Sequence, residues 1–270
     1  MKIITAKTNI CMVIGDPIEH SLSPQMHNAG YEALGIDSQF VYVACRVTVE
    51  AIPDFINGVR AMHIKGVSCT IPHKIAVMKY LDEIDEVAKK IGAVNTIVND
   101  DGVLQGYNTD WLGVLTPLEK LTSLKNKSVA LLGAGGAARA VAYAVVSKGA
   151  TLTVYNRTII KAKLLAKDFG AVAKELHNYK DICASDIIIN TTSVGLDNDE
   201  TPIPKEYINK NHIVFDAVYG KKETQLIQDA KEKGAQIITG KQMLLHQGSA
   251  QFTLFTGYVA PTEAIEKILL

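Results

Sequence analysis

LLGAGGAARA, residues 131–140, follows an apolar run, Val129 to Leu132, and opens a stretch of small and apolar residues from Ala137 to Lys148 with helical character. Gly133, Ala134, Gly135, Gly136 and Ala137 therefore stand directly after a strand and at the mouth of a helix. A dinucleotide pyrophosphate requires that order: a tight turn, a close backbone approach, and free amides at a helix start. Ala138 takes the place of the third glycine of GxGxxG and is small enough for close packing of helix on sheet. A glycine turn into a buried helix is the plain alternative for the motif alone.

The residues after the next strand, Thr151 to Tyr155, decide the cofactor. An NAD site carries an acid ~20 residues beyond the glycines, whereas an NADP site carries a base for the 2′-phosphate. Here the chain reads Asn156-Arg157-Thr158, with Lys161 about one helical turn on, and no acid. Arg157 can pair with a phosphate and Thr158 can donate a hydroxyl, so the expected cofactor is NADP. Basic residues at a helix start oppose the dipole, which calls for an anion to be there.

Working outward, strands and helices alternate on both sides of this motif. Asn9–Ile14, Gln39–Ala44 and Gly66–Thr70 read as strands; Pro24–Leu34, a segment capped by Thr48, and a stretch between His73 and Lys90 read as helices. Val94–Val98 and Val103–Tyr107 flank Asn-Asp-Asp-Gly and read as a hairpin. After a helix near Thr109–Leu121, the polar stretch Thr122–Ser128 is the best domain junction on composition. Later strands are expected at Asp186–Asn190, Ile213–Asp216 and Gln236–Thr239, with helices at Ile159–Phe169 and Glu223–Lys233. Such alternation gives an α/β fold with parallel strands covered on both faces.

Composition narrows the function classes. The chain has 270 residues, 28 basic and 28 acidic, so it has no global field for nucleic acid or an anionic membrane. Cys11, Cys45, Cys69 and Cys183 are scattered without paired spacing, which predicts no metal site and reduced thiols in the cytoplasm. No stretch reads as a signal peptide or a membrane span.

Polar clusters at strand ends supply the candidate chemistry. Ser21 and Ser23 place two hydroxyls before a helix and suit a small carboxylate, although an ordinary serine cap is the plainer reading. Lys74 follows a strand ending in Thr-x-Pro, and Asp110 closes the hairpin that could return to it. A ketone that accepts hydride needs a proton, and a lysine oriented by a carboxylate can supply it. A surface ion pair is the alternative for the two residues taken alone. His73 reads as a bystander.

Nine blocks in order carry a resemblance over nearly the whole chain: GDPIEHSLSP, GVSCTIPHK, IGAVNT, GYNTD, LLGAGGAARA, NRT, NTTSVG, FDAVYG and GKQMLLHQGSAQF. The chain resembles the shikimate dehydrogenases. That resemblance implies NADP-linked reduction of 3-dehydroshikimate to shikimate, in aromatic amino-acid biosynthesis, by a monomer or homodimer. It implies Lys74 as acid/base, Asp110 as its partner, Ser21 and Ser23 on the substrate carboxylate, and Thr70, Asn95, Tyr219 and Gln247 around the ring. It also implies Ala217, Gly240 and Met243 near the nicotinamide. The implied architecture is two α/β domains: a discontinuous substrate domain with a mixed sheet, residues 1–112 and 241–270, and an inserted Rossmann-type NADP domain, 113–240. Ser68-Cys69 replaces a frequent Asn-Val, Ala217 a common methionine, and Phe255 a common tryptophan. A quinate or dual quinate/shikimate dehydrogenase, a non-catalytic ligand-binding regulator on the same scaffold, and a folate-linked dehydrogenase are the competing readings.

Overall fold

The computed structural model describes residues 4–196, 198–220 and 222–269. Two compact units divide the chain: residues 1–110 with 244–270, and residues 111–243.

The first unit runs β1 (Asn9–Gly15), α1 (Ser23–Ala33), β2 (Phe40–Arg46), α2 (Ile52–Ala61), β3 (Gly66–Cys69), α3 (His73–Ala76), β4 (Glu83–Ile84), α4 (Glu86–Ile91), β5 (Thr96–Asp100) and β6 (Val103–Tyr107). Its sheet has the order β2-β1-β3-β5-β6-β4. β1, β2 and β3 are parallel, but β5 runs antiparallel to both β3 and β6. The sheet is therefore mixed. β3, and β1 from Cys11 onward, are buried residue after residue because central strands bury both faces. α2 presents Ile52, Ile56 and Val59, spaced one and two turns apart, to the core beneath it.

The second unit contains α5 (Asp110–Leu121), whose first residue still belongs to the first unit, then β7 (Ser128–Leu132), α6 (Gly136–Val146), β8 (Thr151–Asn156), α7 (Ile159–Phe169), β9 (Val172–Glu175), α8 (Tyr179–Cys183), β10 (Ile187–Asn190), β11 (Ile213–Asp216), α9 (Gln225–Glu232) and β12 (Gln236–Ile238). All strands are parallel in the order β12-β11-β10-β7-β8-β9. This is the doubly wound dinucleotide-binding order, with the reversal between β7 and β10. Alternate residues of β7 serve opposite cores: Val129 and Leu131 join one apolar cluster, Ala130 and Leu132 the other.

The chain returns through α10 (Gly240–Thr256) and ends in α11 (Thr262–Leu269). From Leu244 onward these residues pack with the first unit. Small residues admit them. A Cβ on Gly30 would come within 2.7 Å of the Phe252 ring, and one on Gly66 would strike Phe255. Phe252 and Phe255 are both buried.

Several sequence expectations shift. The stretch between His73 and Lys90 is not one helix: α3 passes into a 3-10 turn at Val77–Tyr80, β4 pairs with β6, and α4 starts afresh. The Asp85 carboxylate, which accepts from the amides of Val87 and Ala88, supplies that new start. α2 begins after Ala51 rather than at a Thr48 cap; Thr48 lies in the turn before it. The hairpin strand starts at Thr96, because the amide of Val94 donates to Lys74 O instead of a ladder partner. β9 was not foreseen, as its Val-Ala-Lys-Glu has half a strand's apolar content and lies at a sheet edge. The polar stretch Thr122–Ser128 lies inside the second unit, since α5 packs Val114, Leu115 and Leu118 into that core.

His27 of α1 lies wholly buried, stacked on Tyr42 with ring centroids 4.2 Å apart. Burial pushes its imidazole down from 6.5 to about 3. Below pH 6.5 the unfolded chain therefore binds a proton that the native chain refuses, so stability rises with pH across this window and levels off above it. Urea denaturation should show stability falling by on the order of a few kcal/mol from pH 7 towards pH 3. His27→Phe should flatten the slope between about pH 5 and 6.5, where few carboxylates titrate; an unchanged slope would refute this origin.

Candidate active site

The reversal of β5 assembles one polar cluster. Parallel strands β1 and β3 end at the same edge of the sheet, and because β5 runs the other way, its start lies there too. β6 reverses again and ends beside it. Backbone bonds lock the three segments: Cys69 N donates to Asn95 O at 2.8 Å, Asn95 N to Tyr107 O at 3.0 Å, and Val94 N to Lys74 O at 2.7 Å. Residues separated by long stretches of chain thus meet at one edge.

At that edge Lys74 Nζ donates to Asp110 Oδ2 at 2.5 Å. The two side chains are only 14% and 4% exposed, which separates them from an ordinary surface ion pair. The other carboxylate oxygen, Oδ1, accepts from Asn95 Nδ2 at 2.9 Å. Asp110 opens α5, where the helix dipole favours a negative charge, and its amide donates to Asn108 Oδ1 at 3.0 Å. Gln247 Oε1 accepts from Asn95 Nδ2 at 3.2 Å and so brings α10 into the cluster. Lys74, Asn95, Asp110 and Gln247 are joined by these bonds.

Ser21 and Ser23 lie in the same unit at the start of α1, where Ser23 N donates to Ser21 Oγ at 3.3 Å. Neither caps the helix through its side chain; Leu22 holds the cap position. Thr70 is half-buried at the end of β3, and its backbone bonds to Ile14 and His73. His73 is a structural residue: its buried ring holds Val47 O through Nε2 at 2.7 Å. Cys11 and Cys69 have thiols pushed up to about 12 by burial, so neither is a nucleophile.

The second unit holds a glycine turn between β7 and α6. Gly133 has φ +111°, and a Cβ there would sit 2.6 Å from Thr191 Oγ1, so only glycine fits. Gly135 caps α6 in extended conformation, with open space where its Cβ would project. The first turn of α6, starting with Gly136 and Ala137, holds no acid. Asn156 Nδ2 donates to Thr158 O at 2.9 Å and shapes the turn before α7. Arg157, Thr158 and Lys161 are exposed around the α7 start, again without an acid in its first turn. These residues fit a dinucleotide with an extra phosphate on its adenosine ribose.

Ala217, Tyr219, Gly240 and Met243 also belong to this unit, the first two just after β11. Gly240 is tightly placed: a Cβ would lie 2.6 Å from Ala217 O. Sequence reading missed the brace beneath them. Buried Asp216 accepts from Thr224 Oγ1 at 2.5 Å, Asn190 Nδ2 at 2.9 Å and Val218 N at 3.1 Å, tying the ends of β10 and β11. Burial raises its carboxyl above the ordinary range. Gln251 was also passed over; its i, i+4 spacing from Gln247 was the available signal.

An α/β unit with a buried lysine–carboxylate pair, joined in one chain to a doubly wound unit with a glycine turn, defines a dinucleotide-dependent oxidoreductase. Three family models agree on which: the substrate-binding domain of shikimate dehydrogenase matches residues 13–97, shikimate/quinate 5-dehydrogenase matches 117–197, and the shikimate dehydrogenase C-terminal domain matches 240–270. The shikimate dehydrogenase (NADP+) of Methanosphaera stadtmanae is 43% identical, over 99% of this chain and 98% of its own. The crystal structure of shikimate dehydrogenase from Aquifex aeolicus superposes with a TM-score of 0.92 at 40% identity, covering 98% of this chain and 99% of that one. That of the Thermus thermophilus enzyme, in complex with NADP(H) and shikimate, gives 0.88 at 36% identity, covering 97% and 98%. The chain belongs to the shikimate dehydrogenase family.

Asn95→Ala would leave Asp110 Oδ1 buried without its donor. The expected cost is about 1–3 kcal/mol in urea unfolding, against less than about 0.5 kcal/mol for Ser21→Ala at a half-buried position. Equal effects would show that the Asn95 bond carries no such weight.

Proposed function

We infer that this protein is an NADP-dependent shikimate dehydrogenase, which reversibly reduces 3-dehydroshikimate to shikimate in the route to aromatic amino acids. The observation that carries the mechanism is the buried Lys74–Asp110 contact at 2.5 Å, backed by Asn95.

NADPH supplies the hydride that reaches the carbonyl carbon. The carbonyl oxygen then needs a proton, and Lys74 Nζ delivers it in reduction and recovers it from the hydroxyl in oxidation. Asp110 keeps the ammonium aimed and balances its charge; with Asn95 fixing Oδ1, the carboxylate presents Oδ2 to Lys74. Positioned proton transfer of this kind contributes ~10²- to 10⁴-fold. Ser21 and Ser23 hold the substrate carboxylate, and Thr70, Asn95, Tyr219 and Gln247 read the ring hydroxyls. Lys74 and Asp110 make contacts to substrate as well.

For the cofactor, Gly133, Ala134, Gly135, Gly136 and Ala137 hold the pyrophosphate. Asn156, Arg157, Thr158 and Lys161 hold the adenosine phosphate, and Ala217, Gly240 and Met243 border the nicotinamide. The unit of residues 1–110 with 244–270 takes the substrate and that of residues 111–243 takes NADP, two or three residues from the expected bounds of 1–112 and 241–270 for substrate and 113–240 for NADP. The working enzyme is a cytoplasmic monomer or homodimer acting on a small molecule. Four free cysteines suit a reducing compartment, and among the described residues no helix is long and apolar enough to cross a membrane.

NADPH or NADH formation, followed with shikimate and with quinate, tests this. Wild type should prefer shikimate with NADP, Lys74→Ala should lose at least ~10²-fold in kcat, and Arg157→Ala should erode the NADP preference while sparing NAD. Wild-type turnover by Lys74→Ala would overturn the mechanism. A preference for quinate with NAD would move the function to quinate oxidation.

A further inference from the structure

Gln251 has no part in the site as described, yet it is buried at 2% exposure directly behind it, one turn along α10 from Gln247. Its Nε2 donates to the Asn95 backbone oxygen at 3.1 Å and to Thr96 Oγ1 at 2.9 Å. Its Oε1 accepts from Ser68 Oγ at 2.8 Å, and Ser68 accepts from Tyr42 OH at 2.6 Å. A backbone carbonyl can only accept, so the Asn95 oxygen fixes which end of the Gln251 amide faces it.

The direction of every later bond follows. Thr96 has one hydroxyl proton and already accepts from Gln251, so that proton goes to Asn95 Oδ1, 2.7 Å away. Asn95 Oδ1 also accepts from Thr109 N at 2.8 Å. With its oxygen taken by two donors, Asn95 must turn its NH2 towards Asp110 Oδ1. Asp110 is then left with Oδ2 for Lys74. Ser68 fits the same scheme: its proton is committed to Gln251.

We propose that Gln251 is a positioning residue for the reaction: by aiming the Thr96 hydroxyl, it supplies one of the two donors, with Thr109 N the other, that hold the orientation of Asn95 and hence the oxygen that Asp110 offers to Lys74. This rests on the reading of Lys74 and Asp110 as the proton-transfer pair. The hydrogen bonds of Gln251 go to Ser68, Asn95 O and Thr96, and it reaches Asp110 and Lys74 only through Thr96 and Asn95. Ser68, which stands where asparagine is frequent in the resembled family, serves here as the anchor of Gln251.

The test uses Gln251→Met, which keeps length without an amide, Thr96→Val, which cuts the relay one bond further on, and the double variant. Expected for each single variant is a fall in kcat of at least about 10-fold, a part of the ~10²- to 10⁴-fold that positioned proton transfer contributes, with a smaller change in KM. The acidic limb of the kcat pH profile should move to higher pH, since a carboxylate that loses a fixed donor binds its proton more readily. NADP+ affinity, read by fluorescence, should stay close to that of wild type. The double variant should be no worse than the poorer single one, and Gln251→Glu should recover part of the loss as it protonates. An unmoved pH limb, or losses that multiply in the double variant, would overturn the proposal. Should Gln251→Met not fold, Thr96→Val alone decides through the same limb. Lys74→Ala is measured alongside: if it turns over as wild type, the catalytic reading fails, whereas an inactive Lys74→Ala with an unmoved Gln251 profile fails only the present proposal.

Discussion

A carboxylate withdrawn almost wholly from water must be given donors, and the Asp110 side chain, 4% exposed, imposes that condition on the first unit. An unpaired charge at such depth costs several kcal/mol. Lys74 and Asn95 meet the demand, one on each oxygen. Lys74 follows β3, Asn95 precedes β5 and Asp110 follows β6, so their meeting needs a sheet in which β5 runs backwards between β3 and β6. An all-parallel sheet would have carried Asn95 to the far edge. The mixed sheet is thus the condition for the cluster, and α10 crosses over to seal it with Gln247 and Gln251.

The second unit answers a different constraint. Its sheet is wholly parallel, so the strands all end at one edge and the winding reverses at β7 and β10. Gly133 lies at that reversal with a conformation and a clearance against Thr191 that only glycine tolerates. Asp216 and Asn190 add a side-chain bond to the ladder at the neighbouring strand ends. The two units therefore fix their polar groups by different means: a buried ion pair in one, and backbone geometry with a buried acid in the other.

Much of this was legible in the amino-acid order. Gly133 to Ala137 could be read as a phosphate turn because the strand before it and the helix after it have unambiguous patterns. The hairpin was legible from Asn-Asp-Asp-Gly, where Asp101 and Gly102 do adopt positive φ. The Lys74–Asp110 contact was not derivable from spacing alone, since strand order is a long-range property; the resemblance supplied it. β4 and β9 escaped because short edge strands bury too little apolar surface to leave a period. The junction that composition suggested, Thr122–Ser128, falls inside the second unit because α5 looks like a continuation of the hairpin, while its apolar face is spent on the other core. Gln251 escaped because its one signal, the i, i+4 spacing from Gln247, does not say which groups a buried amide meets.

Chemical rescue of Lys74→Ala by small amines tests the central claim most directly, because it asks whether a proton donor at this one position is what the enzyme lacks. The account predicts that ammonia and methylamine restore kcat in a saturable, concentration-dependent manner, that the effect grows with the protonated amine fraction in the reducing direction, and that Asp110→Ala weakens it. A rate in Lys74→Ala that no amine raises, down to ammonia, or that already equals wild type, would contradict it.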